Sequence, residues 1–144
     1  YNMFDSLFRT PRFWKTEKEL ADKALDLLSI FHLEDKADYI AANLPYGQQR
    51  KLEIARALAT DMKLLLLDEP AAGMNPTETA ELLDCINAIR NRFGIAILLI
   101  EHDMSLVMNI CERIHVIDYR VTIAEGLPEE IAKNPKVIAA YLGQ

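Results

Sequence analysis

Two adjacent carboxylates, Asp68 and Glu69, directly follow four leucines in the stretch Leu64-Leu65-Leu66-Leu67-Asp68-Glu69-Pro70. Such a pair can divide labour. One carboxylate can hold a hydrated Mg²⁺, and the other can orient or deprotonate an attacking water. An ionised carboxylate is costly inside a strand, so both belong just past its carboxyl end, where open α/β sheets bind ligands. A second pattern, Leu44-Pro45-Tyr46-Gly47-Gln48-Gln49-Arg50, runs into a helix. Amides at a helix start attract anions, and glycine lets a phosphate approach. A third, Glu101-His102-Asp103, follows the apolar residues 95–100. Each has a plainer reading when taken alone: a strand ending in a polar turn, an ordinary helix start, a structural histidine.

The elements that must hold these residues follow from local patterning. Four consecutive apolar residues without helical spacing suit a strand buried on both faces, as in a parallel sheet covered by helices. Residues 95–100 and 114–117 read as two more buried strands, and 121–124 as a short one. His115 is expected to be packed within the third strand. Thr16-Glu17-Lys18-Glu19 has the form of a capping box opening a scaffold helix, with Leu20, Ala24, Leu27, Leu28 and Phe31 on one face. Pro11 interrupts any helix before it. Residues 31–42 read as a turn and a short helix, with His32 on the surface. Gly47 and Gln48 open a helix running to about Ala59. Asn75-Pro76-Thr77-Glu78 supplies an N-cap, a proline at the first helical position and an acid three residues after the cap. Gly94 ends that helix. Asp103 caps a short helix over 104–111. Two more short helices start near Glu125-Gly126-Leu127-Pro128 and at Asn134-Pro135. No internal repeat or low-complexity tract is visible.

Composition narrows the function. The 144 residues suffice for one domain with a real core, and about half are apolar. A net charge of −6 argues against a nucleic-acid binder relying on a basic surface. Cys85 and Cys111 read as buried free thiols, and their spacing is not that of a metal site. The longest apolar run, 95–100, is far short of the roughly 20 residues of a spanning helix. No secretory leader is visible, so the default compartment is the cytoplasm and any membrane link runs through a partner. The chain begins at Tyr1, which is compatible with a processed, truncated or incompletely read polypeptide. Residues 1–15 mix Phe4, Phe8, Phe13 and Trp14 with Arg9, Arg12 and Lys15. That mixture suits either a loosely packed segment or a contact surface, because aromatics and arginine are enriched at interfaces.

In order and spacing the motifs resemble the second half of an ATP-binding-cassette (ABC) nucleotide-binding domain. Residues 44–48 resemble the signature motif and 64–69 the Walker B strand with its catalytic glutamate. The segment after Pro70 resembles the D-loop, and His102 the switch histidine. The phrases YGQQRKLEIARALA, LLLLDEPAAGMNP and LLIEHDMSLVM resemble the ATPase subunits of branched-chain amino-acid importers. The resemblance implies an α/β fold: part of a P-loop NTPase (RecA-like) parallel sheet with a helical signature subdomain. It divides the chain into a helical subdomain, 1–60, and the C-terminal part of the ATPase core, 61–144. It implies ATP and Mg²⁺ as cofactors, with Asp68 on the metal through water, Glu69 as general base and His102 on the γ-phosphate. Pro45, Tyr46, Gly47 and Gln48 would complete the site of a facing subunit. The implied partners are a second, head-to-tail ATPase subunit and transmembrane permease subunits, without nucleic acid. The implied place is peripheral, on the cytoplasmic face of the inner membrane.

Three departures matter. Pro45 stands where many family members carry serine, so a hydroxyl and an amide hydrogen are both lost. Arg120 stands where the family usually has glycine, which suggests a changed turn. None of Gly47, Gly73, Gly94, Gly126 and Gly143 belongs to a Gly-x-x-x-x-Gly-Lys-Ser/Thr loop, so the P-loop is absent from these residues. Two alternatives therefore stand beside the importer ATPase: a non-catalytic fragment or partner-binding module, and a soluble ABC ATPase acting in repair or translation. Without the family's P-loop strand, two strands lose their shared neighbour, and poor stability of these residues alone is expected.

Overall fold

Proline placement decides where the first long helix begins. The computed structural model describes residues 3–142, so Tyr1 and Gly143 lie outside the described residues. Helix α1 (Met3–Phe8) ends before a left-handed Arg9, and α2 (Pro11–Ile30) starts with Pro11 in its first turn. Thr10 is the N-cap. Its hydroxyl accepts from the Phe13 amide at 3.4 Å and donates to Asp5 at 2.9 Å. The expected start at Thr16 is thus corrected. Proline's missing N–H costs nothing in a first turn, so the earlier cap wins. Thr16 lies inside the helix, where its hydroxyl donates to the Arg12 carbonyl. The chain falls into two compact units, one up to Leu99 and one from Ile100 onward.

In the first unit α2 ends in a Schellman motif. The Leu33 amide bonds the Leu28 carbonyl, and His32, left-handed at φ 56°, bonds Ser29. This anchors Phe31 and Leu33 in the core, whereas His32 is exposed as expected. Two single-turn 3₁₀ helices follow, Glu34–Lys36 and Ala41–Asn43. Helix α3 (Tyr46–Leu58) then buries Ile54, Ala55 and Leu58. Strand β1 (Leu64–Asp68) neighbours β2 (Ala96–Ile100) in a parallel pair, joined through α4 (Pro76–Phe93). Asn75 caps α4 with a complete capping box, and Gly94 closes it in the left-handed region. Leu82, Cys85, Ile86 and Ile89 of α4 are buried. Lys51 is buried, and its ammonium lies 2.7 Å from Glu81 of α4. That contact holds the Glu81 carboxyl below its usual range.

The expectation of strands buried on both faces is corrected. Leu65 and Leu67 are buried, but Leu64 and Leu66 are 51% and 65% exposed. On β2, Leu98 and Ile100 are likewise more than half exposed. Only one face of this sheet is covered, which turns a continuous apolar run into an alternating one. The upper part of α2 is also uncovered, so Leu20, expected on a packed face, is 53% exposed. Near the N-terminus Leu7, Phe8 and Trp14 are exposed, and the Arg9 guanidinium stands 5.8 Å from the Trp14 ring centre.

The second unit packs α5 (Met104–Ile110), a hairpin and two short helices. Strand β3 (Ile114–Asp118) pairs antiparallel with β4 (Val121–Gly126), and α6 (Pro128–Ile131) and α7 (Pro135–Leu142) pack on β4. Val107, Ile114, Ala124, Ile131 and Val137 form its core. Strand alternation sends Ile114 inward and His115 outward, which corrects the packed reading of His115. Its ring nitrogen lies 2.8 Å from the Thr122 hydroxyl. Arg113, bonded to Glu125, keeps that carboxyl below its usual range. The hairpin turn has φ 43° at Tyr119 and 67° at Arg120. Both central residues are left-handed, as a type I′ turn requires. The suggestion of a changed turn is therefore corrected: non-glycine residues adopt the backbone a glycine would have eased. Cys85 is buried and Cys111 half-buried, both are free thiols, and burial pushes both up in pKa.

Three outcomes follow from this architecture. Arg120→Gly should raise stability by about 1 kcal/mol, the cost of a left-handed side chain, read from urea unfolding. Asn75→Ala should lower it by about 1 kcal/mol through loss of the cap. The 144-residue chain alone should self-associate through the bare β1–β2 face, and a monomeric sedimentation profile with one cooperative unfolding transition would contradict this.

Candidate functional site

The start of α3 is built by contacts reaching it from the α4 side. Pro45 is the N-cap residue, and no side-chain hydrogen bond caps the helix. Gln49 compensates by bracing the preceding loop, its amide donating to the Leu44 carbonyl at 2.7 Å. Gly47 is buried, and a Cβ there would stand 3.1 Å from a carboxylate oxygen of Glu78. The other Glu78 oxygen accepts from the Asn75 amide at 3.0 Å, closing the α4 capping box. The glycine thus serves a close approach within the chain as well as any approach by phosphate. Gln48 is half-buried, and its buried Oε1 has no hydrogen-bond partner among the described residues. Tyr46 is half-exposed, and its hydroxyl accepts from Arg50 at 3.0 Å.

Glu69 lies just past the carboxyl end of β1 as expected, whereas Asp68 is still the last residue of the strand. Leu67 is buried, Asp68 is exposed as the last residue of β1, and Pro70 is buried again. Between them Glu69 is held at φ 43°. A non-glycine residue in that region carries strain, and such strain clusters at functional sites. The turn continues with the Ala72 amide on the Glu69 carbonyl and the Met74 amide on the Ala71 carbonyl. Gly73 follows at φ 76°, and a Cβ on it would stand 3.4 Å from the Tyr46 ring. The turn after Asp68-Glu69 therefore touches the start of α3, which joins two of the motifs within one unit. Beside them lies an open cavity of about 210 Å³ lined by Arg50, Ile54, Leu66 and Asp68 among others.

Asp68 offers a metal ion a single exposed carboxylate. Among the described residues no three His, Cys, Asp or Glu groups converge on a metal position. That fits Mg²⁺, which keeps several waters and takes one or two carboxylates plus substrate phosphates, and it does not fit Zn²⁺. No Gly-x-x-x-x-Gly-Lys-Ser/Thr loop occurs in these 144 residues, so the residues present fit only part of a nucleotide.

The third motif lies in the second unit. The His102 side chain is 78% exposed, and its Nδ1 lies 3.9 Å from Glu101, whose side chain is only 3% exposed. Asp103 caps α5, its carboxylate accepting from Ser105 at 2.8 Å and Leu106 at 3.3 Å. The Tyr141 hydroxyl donates to the His102 carbonyl at 2.9 Å. Sequence reasoning gave Glu78 the capping-box role that it fills, but not its approach to Gly47, and gave no role to Glu101 or Tyr141. Glu101 stood inside a recognised polar turn and could have been weighed. Tyr141 carried no signal, being 39 residues from its partner.

Comparison with known proteins agrees with this arrangement. The ABC transporter family model matches residues 2–72, and the branched-chain amino acid ATP-binding cassette transporter model matches residues 121–144. The high-affinity branched-chain amino acid transport ATP-binding protein LivG of Salmonella typhimurium is 49% identical over 142 residues. That alignment covers 99% of this chain and 56% of LivG. The corresponding protein BraF of Pseudomonas aeruginosa is 47% identical, with the same coverage. The chain thus spans about half the length of the curated relatives it matches. Among solved structures, an ATP-binding cassette of an ABC transporter in its ADP conformation superposes with a TM-score of 0.79 at 31% identity. That superposition covers all of this chain and 57% of the other. A nucleotide-free cassette gives 0.73 at 30%, over all of this chain and 58% of the other. Motif order, fold and these matches agree: the chain belongs to the ATP-binding family of ABC transporters.

Proposed function

We propose that the chain is the C-terminal portion of the ATP-hydrolysing subunit of an ABC importer for branched-chain or related amino acids. The observation that carries this reading is Glu69, strained at φ 43° directly after the exposed Asp68 at the end of β1. Asp68 would hold a hydrated Mg²⁺ through one of its waters, and the ion would offset the charge on the phosphates. Glu69 accepts a proton from the attacking water as general base. His102 hydrogen-bonds the γ-phosphate. Residues 45–48 present the start of α3 to nucleotide held by a facing, head-to-tail subunit. Residues 1–60 form the helical subdomain, and 61–144 the C-terminal part of the ATPase core.

The names of LivG and BraF support the substrate class. None of the described helices is long and apolar enough to cross a membrane. Peripheral attachment at the cytoplasmic face through permease subunits accords with this. The exposed Phe8, Trp14 and Arg9 suit that contact.

A second reading is favoured by one observation. Pro45 leaves α3 without a side-chain cap and without a hydroxyl for phosphate. On that reading the signature is degraded and the chain acts as a non-catalytic partner of another ATPase.

Two substitutions in the full-length protein separate the readings. Glu69→Gln should leave ATP binding intact and slow turnover on the order of a hundredfold or more. Turnover equal to the parent's would remove Glu69 from the mechanism. Pro45→Ser should raise turnover about fivefold if the signature works and lacks only its donors. No turnover in either the parent or the serine variant would support the non-catalytic partner.

A further inference from the structure

We propose that Tyr141 is the positioning residue for His102, so that the C-terminal helix sets the geometry of the histidine proposed to contact phosphate. The inference rests on the reading of His102 given above.

The first turn of α5 shows why a side chain is needed there. A helix start leaves its leading amides without intrahelical partners. The Asp103 carboxylate takes those of Ser105 and Leu106, and the Asp103 carbonyl takes that of Val107. Met104 is left over, and its amide points to the Tyr141 hydroxyl at 3.4 Å. The same hydroxyl donates its hydrogen to the His102 carbonyl at 2.9 Å. A phenolic hydroxyl has one hydrogen to give and lone pairs to accept, so it can serve both groups at once. By length, the bond to His102 is the stronger of the two. The hydroxyl therefore spans the peptides on either side of Asp103. It fixes the main chain that carries the imidazole and leaves the ring accessible, with its side chain 78% exposed.

The clamp is anchored at both ends. Val137, one helical turn before Tyr141, is buried in the same core as Val107 of α5. Positions four apart share a helix face, so the packing that seats Val137 also turns Tyr141 towards the loop. A tyrosine adds few rotatable bonds between that anchor and its hydroxyl. Positioning of this kind matters because small displacements of a group that contacts the reacting phosphate are costly in rate.

The test uses the full-length ATPase with four forms: parent, Tyr141→Phe, His102→Ala and the double variant. Tyr141→Phe removes only the hydroxyl. It should lower kcat about fivefold and leave KM for Mg-ATP within about twofold, the signature of lost positioning. His102→Ala should cost on the order of a hundredfold. In that background Tyr141→Phe should have no further effect, because a residue acting through His102 has nothing left to act on. Amide exchange at Met104 should accelerate in Tyr141→Phe. If His102→Ala is crippled and Tyr141→Phe turns over like the parent, the positioning role is overturned while the site assignment stands. If Tyr141→Phe adds its own loss on top of His102→Ala, the hydroxyl acts elsewhere and the proposal is also overturned. Full turnover by His102→Ala would remove the site reading and this inference together.

Discussion

An ionised carboxylate must reach water or a partner, and that constraint fixes the first unit. Leu65 and Leu67 draw β1 into the core, while Asp68 and Glu69 cannot follow it there. The strand must therefore end at Asp68, and the chain must turn within two residues before the buried Pro70. Glu69 absorbs that turn in the left-handed region, and Gly73 absorbs the next reversal. The reversal brings the chain against Tyr46 and delivers Asn75 to the start of α4. The carboxylates, the start of α3 and the α4 cap are consequently one connected arrangement.

What was legible in the sequence was whatever local chemistry decides. Asn75, Pro76, Glu78 and Gly94 bracket α4 as read, because caps and stops are short-range hydrogen-bonding devices. Asp103 was legible for the same reason. The start of α2 was misplaced because two local signals competed, and the proline with its Thr10 cap prevailed over the Thr16 box. Burial was less legible than structure type. A run of four leucines looks the same whether one face or two are covered, and only tertiary packing separates Leu65 from Leu66. His115 was misread because strand register, not residue type, sends it outward. The Tyr141 clamp was beyond reach, since nothing in residues 100–104 specifies a partner 39 positions later.

Left-handed residues other than glycine recur at Arg9, His32, Asp61, Glu69, Tyr119 and Arg120. Those at His32, Tyr119 and Arg120 have structural explanations: a helix-ending motif and a hairpin turn whose geometry demands positive φ. Glu69 differs, because it follows a strand rather than a helix and belongs to no hairpin. This is the sense in which strain supports a functional reading of Glu69 and a merely architectural one of Arg120.

The electrostatics around the start of α3 limit how that helix can meet phosphate. The nearest cations are already engaged: Lys51 with Glu81, and Arg50 with Glu53 and Tyr46. The Glu78 carboxylate, pressed against Gly47, adds negative charge where an anion would arrive. Helix amides alone carry about half a unit of positive charge, which is weak in water and much stronger once solvent is excluded. Phosphate recognition by residues 45–48, as proposed, would therefore depend on an opposing surface that excludes water and brings its own cations. A signature helix with these neighbours is poorly suited to binding nucleotide by itself. It is well suited to sensing nucleotide already held by a facing subunit, which is the division of labour the proposed head-to-tail pair requires.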